Sequence, residues 1–81
     1  VTPNPATNNA YINFVLEQSD HISLRVMDMQ GNVISNIASN EWMLAGAHTR
    51  NIELHKWPAG TYFVQMLGTN FTQAQKMVVV K

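Results

Sequence analysis

The chain has 81 residues, 46% of them hydrophobic and 12% charged, with five Lys plus Arg, five Asp plus Glu and no cysteine. That length sets one domain with a modest core, burying a little over ~60% of the unfolded surface. Zero net charge and five scattered cations (Arg25, Arg50, Lys56, Lys76, Lys81) argue against an electrostatic grip on nucleic acid or anionic membrane, and the lack of Cys excludes disulfides and Cys-based zinc or redox sites.

Residues 1–9, VTPNPATNN, read as a linker leading into the domain at residues 10–81. Pro3 and Pro5 fix φ and push Thr2 and Asn4 to extended conformations, and Asn8 and Asn9 favour a turn. The chain opens on Val1 and has no signal peptide, so a piece of a longer protein is expected. No apolar stretch approaches the ~20 residues that span a bilayer.

AYINFVL, residues 10–16, alternates Ile12, Phe14 and Leu16 with Tyr11, Asn13 and Val15, the period of a strand. A polar turn at Gln18, Ser19 and Asp20 follows. Residues 21–28 alternate again, with Ile22, Leu24 and Val26 on one side and Ser23 and Arg25 on the other. DMQGNVI, residues 28–34, is a hairpin signal: Asp28 bonds its own turn, and Gly31 and Asn32 tolerate positive φ. Val33 to Ile37 is the returning strand. ASNEWMLAGA, residues 38–47, fits either a short strand or one helical turn, ended by Gly46. HTRNIEL, residues 48–54, is a strand with Ile52 and Leu54 inward, and Trp57 to Gly60 form a turn. TYFVQML, residues 61–67, is β-branched and aromatic; Gly68, Thr69 and Asn70 turn the chain back into a last strand at 71–80. Turns every eight to twelve residues or so point to an all-β sandwich or barrel.

Chemistry-bearing groups are sparse. His48 and His55 are seven apart, which aims them at opposite faces of a regular strand, and His21 is remote in sequence. Two of them with Glu53 would suit zinc, but no HxH or HExxH spacing supports it, and three surface or rim histidines are expected instead. The carboxylates Glu17, Asp20, Asp28, Glu41 and Glu53 fall at turns and strand ends, with no spacing that compels a catalytic pair. There is no nucleophile elbow and no phosphate-binding glycine loop, so neither catalysis nor a cofactor is expected. Trp42, Trp57, Tyr11 and Tyr62 offer a sugar-binding platform; the plainer reading packs Tyr62 and one Trp against the core. Asn70-Phe71-Thr72 matches a glycosylation sequon and is assigned no role. Among five methionines, Met27 and Met29 have the parity opposite Ile22, Leu24 and Val26, which points to a second apolar patch.

Five local patterns fall in one order. Pro3-Asn4-Pro5-Ala6 opens the domain, and Asp28-x-x-Gly31 marks a hairpin. Leu44-Ala45-Gly46 and Pro58-Ala59-Gly60-Thr61-Tyr62-Phe63-Val64 then lead to Lys76-Met77-Val78-Val79-Val80-Lys81. In this order and spacing the chain resembles the type A C-terminal sorting domain of type IX secretion cargo proteins of Bacteroidetes, over essentially its whole length. It departs from the usual pattern at Thr2, where an aromatic is common, and at Trp57, where an aliphatic residue is commoner. The resemblance implies an immunoglobulin-like antiparallel β-sandwich of about seven strands. It also implies a non-catalytic signal that carries an N-terminal passenger from the periplasm across the outer membrane. The partners so implied are the outer-membrane translocon, its shuttle proteins and a surface sortase that commonly removes the domain.

The family's informative motifs carry over onto Gly60, Tyr62, Lys76 and Lys81. In the last strand Met77 and Val79 share one side and Val78 and Val80 the other, so both sides are apolar and one needs a cover beyond the core. The expected recognition surface is therefore the hairpin 61–81: Gly60 allows the turn, Tyr62 anchors it, and Lys76 and Lys81 keep the edge soluble. A buried strand whose lysines serve only solubility is the other reading, and a domain-swapped dimer through the last strand is a further one. The alternative from another class is a carbohydrate-binding module carried by Trp42, Trp57 and Tyr62.

Overall fold

A computed structural model describes residues 8–80; the Pro3 and Pro5 motif and Lys81 lie outside the described residues. Six strands follow one another: β1 (Asn9–Leu16), β2 (Asp20–Met27), β3 (Val33–Met43), β4 (Gly46–Glu53), β5 (Gly60–Leu67) and β6 (Thr72–Val79). Among the described residues that is one fewer than the seven expected, and every pairing there is antiparallel. They form two unequal sheets, β1-β4 and β3-β2-β5-β6.

Alternation places the core. Ala10, Ile12 and Leu16 of β1 and Ile52 of β4 are buried from one sheet. Ile22, Leu24 and Val26 of β2, Tyr62, Val64 and Met66 of β5, and Met77 and Val79 of β6 are buried from the other. Two apolar clusters result, and Phe14 and Ile37 pack against both. No charged or polar side chain is buried among the described residues, as suits a surface made of amides and hydroxyls.

The turns follow their chemistry. Asp28 Oδ1 accepts from the Gln30 and Asn32 amides, both at 2.9 Å, and Gly31 takes φ +86°. Asn32 is not in the positive-φ region, so the glycine alone supplies that conformation. Asp20 clasps two turns together: its Oδ1 accepts from the Thr69 hydroxyl at 2.5 Å and its Oδ2 from the Thr69 amide at 3.0 Å.

Residues 38–47 contain no helical turn. β3 runs on to Met43, and β4 begins at Gly46. The reason is a β-bulge: Leu24 pairs with Ala38 and Ile22 with Glu41, so Ser39 and Asn40 together oppose Ser23. Asn40 adopts φ +49° and its amide donates to Ser23 Oγ at 2.9 Å. The extra residue reverses the parity, so Ala38 and Met43, five apart, both face the core.

Candidate functional site

The side chains first suspected of chemistry do not converge. His48 stacks on Phe14 with ring centroids 5.3 Å apart, and its Nε2–H donates to the Leu44 carbonyl at 2.6 Å. His21 meets the edge of Trp42 at 5.0 Å on the opposite sheet. Among the described residues no group of three His, Asp or Glu is placed to hold a metal ion. Glu41 is paired with Arg50 at 2.5 and 3.2 Å, an ion pair linking β3 to β4 across the side of the sandwich. Its carboxyl is held below the ordinary range, chiefly by the Arg50 hydrogen bond. Asp20 is lowered by the bonds from Thr69, and Asp28 by the Asn32 amide. Each of these carboxylates is engaged in local structure.

The aromatic platform is not assembled. Trp57 packs against Tyr62 at 5.2 Å and against the core, and the Tyr62 hydroxyl donates to the Pro58 carbonyl at 2.7 Å. Trp42 pairs with His21 at the start of β2, while Tyr62 lies just beyond Phe63, the partner of Met27 at the other end of β2. The two tryptophans therefore sit at opposite ends of the fold.

The terminal hairpin is where the anticipated residues do come together. Gly60 opens β5 opposite Val79, Thr61 lies opposite Val78, Tyr62 opposite Met77 and Phe63 opposite Lys76. Among the described strands β6 stands last in its sheet, beside β5. The structure resolves what parity left open: Met77 and Val79 are 0% and 1% exposed in the core, whereas Val78 is half-buried on the outer side and Val80 is 39% exposed. On that outer side Val33, Met27 and Phe63 lie in one cross-strand row, with Val78 diagonal to Phe63. This is the second apolar patch that Met27 announced; Val33, Phe63 and Val78 join it only through pairing between distant strands. Met29, 68% exposed, is in the hairpin turn beside it.

The class defined so far is an all-β sandwich in which Asp20 and Asp28 serve turns, Glu41 serves an ion pair, and the outer side of the terminal hairpin is apolar. The chain belongs to the secretion system C-terminal sorting domain family, whose model matches residues 1–81. Neither the curated proteins nor the solved structures gave a match. The chain is thus a type IX secretion sorting signal, attached to cargo and directing export through the outer membrane to the surface or beyond. The family is generally non-catalytic.

Proposed function

We propose that the secretion machinery reads this domain through the outer side of its terminal hairpin, residues 61–81. The observation that carries the reading is the division of β6. Met77 and Val79 belong to the core, while Val78 and Val80 continue an apolar row with Phe63, Met27 and Val33 at a sheet edge. Such a row suits a partner that covers it with apolar pockets of its own, the pockets giving specificity. Gly60 and Tyr62 hold the hairpin, and Lys76 and Lys81 flank its apolar run. The reader is the translocon with its shuttle proteins, which take the passenger from the periplasm; a surface sortase then removes the domain. A domain-swapped dimer through the 68–71 turn is disfavoured on this reading, because opening that turn breaks the Asp20–Thr69 clasp.

Deleting residues 77–81 would remove two core side chains and confuse unfolding with loss of an address. The cleaner test fuses residues 1–81 to a periplasmic reporter in a Bacteroidetes host and compares it with Val78→Thr/Val80→Thr. Circular dichroism of the purified chains establishes that both fold. The expected result is a reporter retained in the periplasm by the double variant and a shortened, surface-exposed product from the parent. Export of the folded double variant at the parental level would overturn the proposal.

A further inference from the structure

Among the described residues, the outer face of the four-stranded sheet holds a guanidinium with no carboxylate to pair with. Outward positions alternate with the buried ones: Ser23, Arg25 and Met27 on β2, Phe63, Gln65 and Leu67 on β5, and Lys76 and Val78 on β6. β2 and β5 are the two inner strands of that sheet. Arg25 therefore stands in the middle of the face, half-buried, opposite Gln65 on one side and Asn36 on the other. Its Nε–H donates to Gln65 Oε1 at 2.6 Å. That bond holds the side chain in place and leaves the two Nη groups, the paired end of the guanidinium, to other acceptors. The described carboxylates are occupied or elsewhere. Glu41 is held by Arg50, Asp20 by Thr69 and Asp28 by its own turn, while Glu17 follows β1 and Glu53 ends β4 on the other sheet. Lys76, exposed on the same face opposite Phe63, adds a second positive charge.

We infer, resting on the reading of the outer row given above, that the protein which covers this face presents a carboxylate to Arg25: the side chain of an Asp or Glu set among apolar residues. Arg25 is two positions from Met27 on the same strand and the same side, so it lies only ~7 Å along the strand from the row. A partner seated on Met27, Phe63 and Val78 takes Arg25 out of water as well. A guanidinium keeps its charge at any working pH, and covering it without an anion is strongly unfavourable. A carboxylate answers it with two parallel bonds at Nη1 and Nη2. Lipid phosphate is a poorer fit. One arginine and one lysine, ~12 Å apart by strand spacing, do not make the basic cluster that a phosphate-bearing surface calls for, and the chain has no net charge. A single arginine beside an apolar row matches a single carboxylate in an apolar protein surface. The pairing also gives selectivity, because an equally apolar surface without the carboxylate leaves Arg25 buried and unpaired.

The test turns on Arg25→Met in the reporter fusion, because that change moves the two cases in opposite directions. A partner with a carboxylate loses its counter-ion, whereas a purely apolar partner gains a better surface. Fusions of residues 1–81 carrying Arg25→Met, Arg25→Gln, Arg25→Lys or Val78→Thr/Val80→Thr are expressed beside the parent, and thermal melts of the purified chains establish that they fold. The expected result is a surface-exposed fraction lowered at least ~10-fold by Arg25→Met and by Arg25→Gln, as loss of a desolvated ion pair predicts. Arg25→Lys lowers it less, since an ammonium keeps the charge without the fork. Export of folded Arg25→Met or Arg25→Gln at or above the parental level overturns the inference. If Val78→Thr/Val80→Thr is retained at the same time, the apolar row is still read and only the carboxylate is wrong; if that variant is exported too, both readings fail. A second measurement separates protein from lipid. The isotopically labelled 81-residue chain is titrated with lipopolysaccharide micelles while the Arg25 Nε–H resonance is followed by NMR. No displacement is expected, and a saturating one would assign the site to lipid phosphate and overturn the inference.

Discussion

Met77 and Val78 are adjacent in sequence and on opposite sides of β6, and their substitution separates core packing from the outer surface. Met77 is fully buried against Tyr62 in the larger apolar cluster. Cutting it to Ala removes three heavy atoms from a packed site and costs about 2–5 kcal/mol. A domain of 81 residues has roughly 4–12 kcal/mol in total, so Met77→Ala consumes a large share of it. At ~4–8 °C per kcal/mol for a domain of this size, the melting temperature falls by at least ~8 °C. Val78→Thr keeps the shape, swaps a methyl for a hydroxyl on a half-exposed surface, and costs less than ~1 kcal/mol. Urea unfolding of the two variants and the parent gives both differences directly. The expected pattern is a large shift in midpoint with unchanged slope for Met77→Ala and a small one for Val78→Thr. Equal losses, or a larger loss at Val78, would refute the assignment of which side of β6 enters the core.

Three further outcomes follow from named contacts. Asn40→Ala should destabilise by about 1–2 kcal/mol, because an alanine takes positive φ at that cost, while Asn40→Gly should stay close to the parent; thermal melts rank the three. Gly68→Ala drives a Cβ into the Phe71 ring and should cost about 1–3 kcal/mol as overpacking does, with the Phe71 ring resonances displaced in NMR spectra. Asp20, Asp28 and Glu41 have folded pKa values below their ordinary ones, so between the two values the unfolded chain binds more protons. Their contribution is therefore present above about pH 4 and is lost as pH falls through the lowered folded values. Unfolding midpoints measured down an acid series should drop there, less steeply for Asp28→Asn.

Most of the strands were legible because their alternation is regular: Ile22, Leu24 and Val26, or Tyr62, Val64 and Met66, each name a face without further help. The stretch 38–47 was not legible, since one bulge at Ser39 and Asn40 turns the pattern over midway and makes a strand look like an interruption. A run with both sides apolar, as at Met77 to Val80, has no parity to read; only the position of the second sheet decides it. A groove beside β1 was also beyond sequence reading. It is lined by β1 and its following turn together with Met66, Phe71 and Gln73, residues that only the tertiary arrangement brings together. The Asp20–Thr69 clasp joins positions 49 apart, and nothing local to either residue announces the other.

The place of β6 in the fold has a consequence for biosynthesis. Met77 and Val79 complete a cluster that contains Ala10 and Ile12 of the first strand. A translation product that stops short of residue 77 thus carries nearly all of the domain's chain but not the means to close its core. Only a polypeptide read through to these positions can present a folded tag. Folding of the domain is in this way tied to complete synthesis of everything upstream of it.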